Sequence, residues 1–274
     1  KRRANRDDAP VTIGDEVSVS PAAEGERSVD VLHFGDGLLV VDKPAGMSTI
    51  PDQTSREGSL LVLAARAAGL EPSTLHPTSR LDRDVSGIVT FATSKKVAAE
   101  ILRARGLGKY ERRYVAIACM APRADRGIWN DAIGRARDPK LRAAFAPNET
   151  LHDAKPSRTR WRLVAKANGH ALLACSPETG RTHQIRVHAS HAGAPLLGDR
   201  AYGGSSRVTL ANGTILSCQR ICLHCAHIEI EKGRKKRAFS SPIPADLRAT
   251  WASLGGAASA WDTALACDLS FSSE

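Results

Sequence analysis

The chain has 274 residues, and its 39 Lys and Arg outnumber its 29 Asp and Glu, which gives a formal charge of +10. With 42% hydrophobic and 25% charged residues, this composition excludes a disordered tail or a disulfide-bonded miniprotein and supports one large domain. No apolar stretch approaches the ~20 residues of a membrane helix, so we expect no contact with a membrane. The N-terminal residues lack the apolar segment of a secretory signal.

Charge and cysteine content narrow the choice of partner and compartment. The six cysteines have no regular spacing, which favours reduced thiols and a cytoplasmic location, with an organelle matrix as the alternative. The basic excess indicates an anionic partner, most commonly nucleic acid. Because aromatic residues make up only 4% of the chain, we expect arginine and lysine to carry most of the contacts. We expect a monomer.

The first predicted elements lead to two polar turns. Residues 1–28 are polar, and we interpret them as an appendage or linker that contains one short predicted strand at 11–19. A buried strand at 38–41 runs into a KPAG turn that begins with Lys43, and a helix is predicted over 59–69. The arginine-rich turn 76–87 precedes an apolar strand at 88–92.

The second half of the chain is predicted as strands, two helices and a tail. Its expected elements, in order, are a helix capped by Ser94 and ending at Arg105, a strand at 110–119, surface excursions over 121–160, a hairpin at 160–175, a helix from Thr182 to Gly193, a turn in 195–202, a strand at 221–230, a basic loop at 232–237 and a helix at 244–253. We therefore expect a main domain over 29–253 and a flexible tail over 254–274.

Asp82 is the first candidate for chemistry, because it lies between Arg80 and Arg83 in the turn ahead of a core strand. Two flanking guanidinium groups favour an ionised carboxylate, which can serve as a nucleophile or a base. The alternative is an exposed salt bridge, which is the commoner meaning of such a run. The position beside a core strand, where functional loops are often mounted, favours a site.

A second cluster follows at 181–188, with five hydrogen-bonding side chains in eight residues: Arg181, His183, Gln184, Arg186 and His188. If this segment is helical, His183 and Arg186 share a face. The cluster is then either a solvated amphipathic helix or a group that binds phosphate and pairs with a carboxylate. A third candidate, Tyr114, lies at the charged end of its strand, where most tyrosines serve packing.

Cysteine and histidine residues at 218–229 raise the alternative of a zinc deaminase. Cys222 and Cys225 have the spacing of a metal knuckle, and His227 and Glu229 form an HxE pair. The order is reversed relative to that motif, and no second CxxC follows. We therefore expect no metal site.

KPAG, RLDRDVSG, RRYVA, GRTHQIRVH, PLLGDRAYG and a late LHC strand together resemble the RluA-type pseudouridine synthases over residues 38–247. Two positions depart from the family pattern, namely Ser79 in place of His and Val85 in place of Thr. The run 11–19 also looks like the end of a small RNA-binding module. The resemblance implies an α+β fold with a mixed, mainly antiparallel central sheet, flanking helices and a central catalytic cleft.

The resemblance also implies the roles of individual residues. Asp82 is the expected catalytic acid, Arg186 its partner, and Tyr114 the group that lies against uracil and helps remove the proton from carbon 5. Arg80 is expected to fill the space left by a flipped base or to hold its phosphate. The remaining residues with a predicted substrate-binding role are Lys43, Arg83, Arg181 and His183. No cofactor or metal is implied.

The expected reaction is isomerisation of uridine in ribosomal RNA, or next in transfer RNA, with the alternative of a non-catalytic RNA-binding or ribosome-assembly protein of the same fold. Other basic residues are expected to follow RNA phosphates; they are Arg2, Arg3, Arg103, Arg105, Lys109, Arg112, Arg113 and above all the loop 232–237.

Overall fold

The computed structural model describes residues 28–52, 57–136, 138, 141–145, 153–210, 212–232 and 235–271. The predicted strand at 11–19 and almost all of the predicted appendage lie outside these residues. The strands are β1 (Asp30–Gly35), β2 (Leu38–Lys43), β3 (His76–Pro77), β4 (Ser86–Ala92), β5 (Tyr110–Ala118), β6 (Arg126–Trp129), β7 (Ala132–Arg135), β8 (Arg142–Phe145), β9 (Thr159–Ala167), β10 (His170–Pro177), β11 (Arg207–Thr209), β12 (Ile215–Ser217), β13 (Leu223–Lys232) and β14 (Lys235–Ser240).

Five α-helices accompany the strands in the described part of the chain. They are α1 (Leu60–Ala67), α2 (Lys95–Gly106), α3 (Gln184–His191), α4 (Ala245–Ser253) and α5 (Ser259–Ala266). The Ser94 side chain caps α2 by accepting a hydrogen bond from the Val97 N–H, as its sequence predicts. None of the helices in the described ranges is long and apolar enough to cross a membrane.

One mixed sheet organises the molecule. Its strand order is β1-β2-β4-β13-β5-β10-β9-β6, with β3 added to β4 and β14 added to β13. All the pairings are antiparallel except that of β4 with β13. This confirms the expected α+β class and its mainly antiparallel sheet.

The parallel contact between β4 and β13 depends on one glycine. Gly87 has φ +113°, and a β-carbon there would lie 2.3 Å from the carbonyl oxygen of Cys225. Such a distance is possible only without a side chain, so this glycine lets the two backbones approach. The turn that carries Asp82 ends at this junction.

Alternation along β5 sends neighbouring residues to opposite faces of the sheet. Tyr114 and Ala116 join the core cluster that faces α3, whereas Val115 and Ile117 join the cluster beneath α4 and α5. A third cluster packs α1 against β2 and β4. The central strands are therefore buried on both faces, and their ends hold the loops of the site.

Three predictions about the chain are wrong in the structure. The described part of the predicted flexible tail 254–274, residues 254–271, is ordered, because α5 packs Trp261, which is 2% exposed, against Trp251. The described residues of the predicted basic loop 232–237 belong to strands, since β13 ends at Lys232 and β14 begins at Lys235. The excursions at 121–160 include β6 and the β7–β8 hairpin, whose strands are too short to show periodicity.

Candidate active site

Asp82 lies in the loop between β3 and β4, and this loop is fixed mostly through its backbone. The Thr49 hydroxyl donates to the Leu81 carbonyl oxygen (2.8 Å) and accepts from the Leu81 N–H (3.1 Å). The Gly46 N–H donates to the Arg83 carbonyl oxygen (2.8 Å), so that the KPAG turn and the Asp82 loop are joined on both sides of the carboxylate. The Asp82 side chain is 26% exposed and therefore accessible to a ligand.

Lys43 is the centre of this junction. Its ammonium donates to the carbonyl oxygens of Pro44 (3.0 Å), Met47 (2.7 Å) and Arg83 (3.0 Å), and the residue is fully buried. Burial lowers the pKa of Lys43 to about 7, against the opposing attraction of the Asp82 carboxylate. Because three carbonyl groups already occupy its donors, the geometry argues for a positioning role rather than the predicted contact with substrate.

Arg186 reaches Asp82 from the first turn of α3. Its Nη1 donates to Asp82 Oδ2 at 2.8 Å, and its Nε and Nη2 donate to Asp199 Oδ2 and Oδ1 at 2.7 and 2.9 Å. Although burial acts to lower it, the hydrogen bonds and charge of Asp199 and the charge of Asp82 raise the pKa of Arg186. The predicted pairing of Arg186 with Asp82 is thus present as a geometry, within a three-residue ion cluster.

His183 lies on the other side of the same carboxylate. It precedes α3 in a left-handed conformation (φ 60°), and its Nε2 lies 3.8 Å from Asp82 Oδ2. The Tyr202 hydroxyl accepts from the Arg142 N–H (2.9 Å), so its own proton is directed to His183 Nδ1 (2.7 Å). This assigns the remaining His183 proton to Nε2, facing Asp82.

The surroundings of His183 favour its neutral ring at neutral pH. Burial lowers the pKa of His183, the Asp82 carboxylate opposes this effect, and the positive charge of Arg186 adds to it. His183 Nε2 therefore lies near Asp82 without a hydrogen bond to it, since 3.8 Å is too long for one. The predicted substrate-binding role of His183 remains a prediction.

Tyr114 and Arg112 on β5, together with Arg105 on α2, line the same cavity. Burial raises the pKa of Tyr114 well above its usual value, so the phenol is protonated at neutral pH. Arg112, two residues earlier on β5, donates through Nη2 to the carbonyl oxygens of Pro177 (2.9 Å) and Thr179 (2.7 Å). Arg105 lies close against Gly180, where a β-carbon would clash with its guanidinium group.

The cavity has a volume of about 540 Å³ and is strongly basic. Besides Asp82 and Tyr114 it is lined by charged and polar side chains, among them Arg80, Arg83, Arg105, Arg112, Arg181, His183 and Arg186. Arg80 and Arg83 are exposed, as a contact with substrate requires. Arg181 donates through Nε to the Pro156 carbonyl oxygen (3.0 Å) and so keeps its other N–H groups available. The structure thus brings together all the predicted site residues except Lys43, which lies beneath the loop.

Two members of the predicted 181–188 cluster are structural. Gln184 accepts from Thr179 (2.7 Å) and donates to Thr159 (2.9 Å), while the fully buried His188 ring contacts Ser157 (3.2 Å) and Thr159 (3.0 Å). Polar groups with such partners are stable in a core. Their hydrogen bonds with Thr159 hold α3 to β9, and Gln184 also lines the cavity beside Asp82.

Sequence reasoning missed Asp199 and Tyr202. Both lie in the PLLGDRAYG segment, which the sequence marks as a turn and to which it assigns no chemistry. Asp199 is 1% exposed, and Tyr202 lies beneath the Arg186 guanidinium at 4.9 Å. An acid directly after an apolar PLLG run was the available signal, since a buried acid requires a partner.

Several of the cations expected to follow RNA phosphates are engaged elsewhere. Lys109 pairs with Glu231 (2.6 Å), Lys236 pairs with Glu229 (2.6 Å), and Arg237 pairs with Asp36. Arg113 donates to the Leu265 carbonyl oxygen, whereas Arg105 and the buried Arg112 line the cavity itself. The positive charge beside Asp82 therefore comes mainly from the arginines that line the cavity. Arg2 and Arg3 lie outside the described residues.

The cysteine pair behind the zinc hypothesis is divided between two cores. Cys222 packs in the cluster beneath α4 and α5, whereas Cys225 packs with Tyr114 on the other face of the sheet. Within the described ranges, no three His, Cys, Asp or Glu side chains lie together as metal ligands.

Comparison with known proteins gives the family. Residues 37–191 match the family described as RNA pseudouridylate synthase. This match covers more than half of the chain, which therefore belongs to the RNA pseudouridylate synthase family. Its relatives place it with the RluA type whose motifs it resembles.

Two curated relatives and one solved structure illustrate the likeness. The chain is 32% identical over 80% of its length to ribosomal large subunit pseudouridine synthase D of Nitrosomonas europaea, and it spans 63% of that protein. It is 30% identical over 79% of its length to ribosomal large subunit pseudouridine synthase C of Escherichia coli, of which it spans 71%. The structure of human RNA pseudouridylate synthase domain containing 4 has the same fold, with a TM-score of 0.64 and 20% identity over 82% of this chain and 93% of that one.

Proposed function

We propose that this protein isomerises uridine to pseudouridine in RNA, with Asp82 as the catalytic carboxylate. The observation that carries this proposal is the 2.8 Å contact of Arg186 with Asp82 inside a basic cavity that also contains Tyr114. Family membership supports the reaction type, and the cavity supplies groups that suit it. The six free cysteines support a reducing compartment.

The reaction breaks the bond between nitrogen 1 of uracil and the ribose, turns the base, and joins carbon 5 to the same sugar carbon. Positive charge develops on that carbon, and a carboxylate beside it stabilises the charge or bonds to it. Asp82 can equally remove a neighbouring sugar proton to give a glycal. Arg186 and His183 both approach Oδ2 of this carboxylate, which leaves Oδ1 to face the ribose.

Tyr114 is proposed to lie against the uracil ring. Because burial keeps its phenol protonated, it can accept the carbon 5 proton only if its own proton leaves in the same step. A hydrogen bond from the hydroxyl and packing against the ring are compatible with that state. Replacing Tyr114 by Phe therefore tests the hydroxyl separately from the ring.

The target base has to leave the RNA stack to reach Asp82. Arg80 is exposed at the cavity and is proposed to occupy the vacated space or hold the phosphate of the flipped nucleotide. Arg83 and Arg181 line the same cavity and are suited to phosphate. Together they support RNA as the partner, and a single chain contains every group used here.

Ribosomal RNA is the proposed substrate and transfer RNA the second choice. The support for ribosomal RNA is that the relatives from Nitrosomonas europaea and Escherichia coli are named for the large ribosomal subunit.

The test is release of tritium from RNA labelled at carbon 5 of uridine, using unmodified ribosomal and transfer RNA pools separately. We expect release by the wild type on ribosomal RNA and none by Asp82→Ala. The matched control is Asp84→Ala, because Asp84 is an exposed acid two residues further along the same loop, and it should keep wild-type turnover. Release from transfer RNA alone would reassign the substrate.

The competing function is RNA binding without catalysis. Asp82→Asn separates the two, since it removes the charge and keeps the shape of the side chain. The proposed isomerase would still bind RNA and would lose turnover. No release by the wild type from either pool, with RNA bound equally by both proteins, would favour the binder.

A further inference from the structure

We propose that Asp199 is a positioning residue that orients Arg186 so that it offers a single N–H to Asp82. This inference rests on the proposed function of Asp82 and deepens it. Asp199 makes a bidentate pair with Arg186 through Nε (2.7 Å) and Nη2 (2.9 Å), while Nη1 extends to Asp82 (2.8 Å). One edge of the planar guanidinium is therefore occupied before Asp82 is reached.

Asp199 is itself rigidly held. It is 1% exposed and lies in a turn where the Gly204 N–H donates to its carbonyl oxygen (2.8 Å) and its own N–H donates to Leu196 (3.1 Å). The flanking Gly198 and Gly204 pack so tightly that a β-carbon would lie 2.0 and 1.8 Å from backbone oxygens. The close packing and the backbone hydrogen bonds therefore fix the position of Asp199 in the turn.

Tyr202, in the same turn, packs against one face of the Arg186 guanidinium. Its ring lies under the guanidinium group at 4.9 Å, and its hydroxyl contacts His183 at 2.7 Å. Both side chains that face Asp82, namely Arg186 and His183, are therefore positioned from one short segment.

This arrangement has a chemical consequence for Asp82. An arginine free of other partners tends to bind a carboxylate through two parallel hydrogen bonds and so occupies both oxygens. With Asp199 present, two of the three donor atoms of Arg186 are used, and Asp82 receives a single bond at Oδ2. The other oxygen stays available for the ribose. Without Asp199, Arg186 would be able to rotate and bind Asp82 through its fork.

The test compares Asp199→Asn with Asp246→Asn. Asp246 makes the same bidentate contact with Arg220 (2.6 and 2.8 Å), although that pair does not reach Asp82. We expect Asp199→Asn to lower the single-turnover rate of tritium release about 100-fold, as misplacement of a reacting group does, with the dissociation constant for RNA changed by less than about threefold. Asp246→Asn should keep both values within about threefold of the wild type.

A double-mutant cycle shows whether Asp199 acts through Arg186. In an Arg186→Met background we expect Asp199→Asn to cause no further loss of rate, because the group that it positions is absent. A merely structural role would give the same loss in both backgrounds and would overturn the proposal. So would a normal rate in Asp199→Asn, or a loss of RNA binding as large as the loss of rate.

A measurement without RNA separates this inference from the proposed function. The Nε–H proton of Arg186, assigned by its loss in Arg186→Met, should exchange slowly in the wild type and in Asp246→Asn and rapidly in Asp199→Asn. If the wild type modifies no RNA, the proposed function fails, and this exchange pattern alone decides the positioning role. If Asp199→Asn does not fold, Asp199→Glu keeps the charge and moves it by one methylene, and an intermediate loss of rate is expected. A wild-type rate in Asp199→Glu would refute the inference.

Discussion

His224 provides a pH-dependent test of the structure beneath the Asp82 loop. It is fully buried on β13, with Nδ1 2.9 Å from the Ser86 hydroxyl and Nε2 3.3 Å from the Ser241 hydroxyl. Arg220 donates to the Ser86 oxygen (2.9 Å), so Ser86 donates to Nδ1. Ser241 in turn donates to Asp42 (2.7 Å), so Nε2 carries the His224 proton.

A second proton on His224 would face the Ser86 proton. Burial, followed by the nearby charge of Arg220, lowers the pKa of His224 from 6.5 to about 4. In the unfolded chain the ring gains its proton near pH 6.5, so between pH 6.5 and 4 the unfolded state binds more protons than the folded state. The free energy of unfolding therefore falls as the pH falls through this window. A difference of about 2.5 pKa units corresponds to about 3 kcal/mol.

Urea unfolding of the wild type and of His224→Gln at pH 7.5, 6, 5 and 4 measures this contribution. We expect the stability advantage of the wild type to shrink by about 3 kcal/mol between pH 7.5 and 4. Contributions of other groups cancel in the difference, and His170→Gln, which changes a surface histidine, is the control. A difference between wild type and His224→Gln that stays constant with pH would refute the assigned network.

Three further predictions concern the framework. Gly87→Ala should lower the free energy of unfolding by about 3 kcal/mol or more, because the new β-carbon would clash with backbone atoms. Gly69→Ala, where φ is also positive (66°) but the space is open, should lower it by about 1 kcal/mol, and urea unfolding of the two variants compares them. Between pH 7 and 10 the unfolded wild type keeps the Lys43 proton that the folded protein has lost, so its free energy of unfolding should rise by up to about 4 kcal/mol. Lys43→Met should remove this rise, and identical pH curves for the two proteins would contradict the prediction. Trp261→Ala should lower the free energy of unfolding, measured by thermal unfolding, by about 3 kcal/mol, and Met120→Ala, at an exposed site, by less than about 0.5 kcal/mol. Equal effects would support the predicted flexible tail.

The parts of the fold that local patterns determine were predictable. Alternation and caps predict β2, β4, α2 and the β9–β10 hairpin, because apolar periodicity and turn residues act over a few positions. The tail was mispredicted because the small residues around Trp261 show little apolar periodicity. The helix there is stabilised by packing of Trp261 on Trp251, which the local sequence does not reveal. The pairing of cations such as Lys236 with Glu229 depends on strand register, which no single segment reveals.

The same distinction holds within the site. The residues proposed to face substrate stand in dense polar runs, which made Asp82 and Arg186 candidates from the sequence alone. The residues proposed to orient them cannot be found in this way, because Lys43 binds the Arg83 carbonyl oxygen 40 positions away and Asp199 binds a side chain 13 positions away. Such roles depend on the tertiary fold, which brings distant segments to the ends of the central strands.

Ser79 shows how a departure from the family pattern is accommodated. The small hydroxyl accepts from the Thr90 N–H (2.9 Å) and from the Thr90 hydroxyl (3.1 Å), and that hydroxyl also contacts Thr78 (2.7 Å) and Tyr110 (2.9 Å). All four residues are buried, so every hydroxyl in this network needs the partners that it has. A bulkier imidazole at position 79 would need space that this network already fills. Residue 79 therefore anchors the Asp82 loop to β4 by hydrogen bonds, and the loop keeps its place through partners on neighbouring strands rather than through the family's usual side chain.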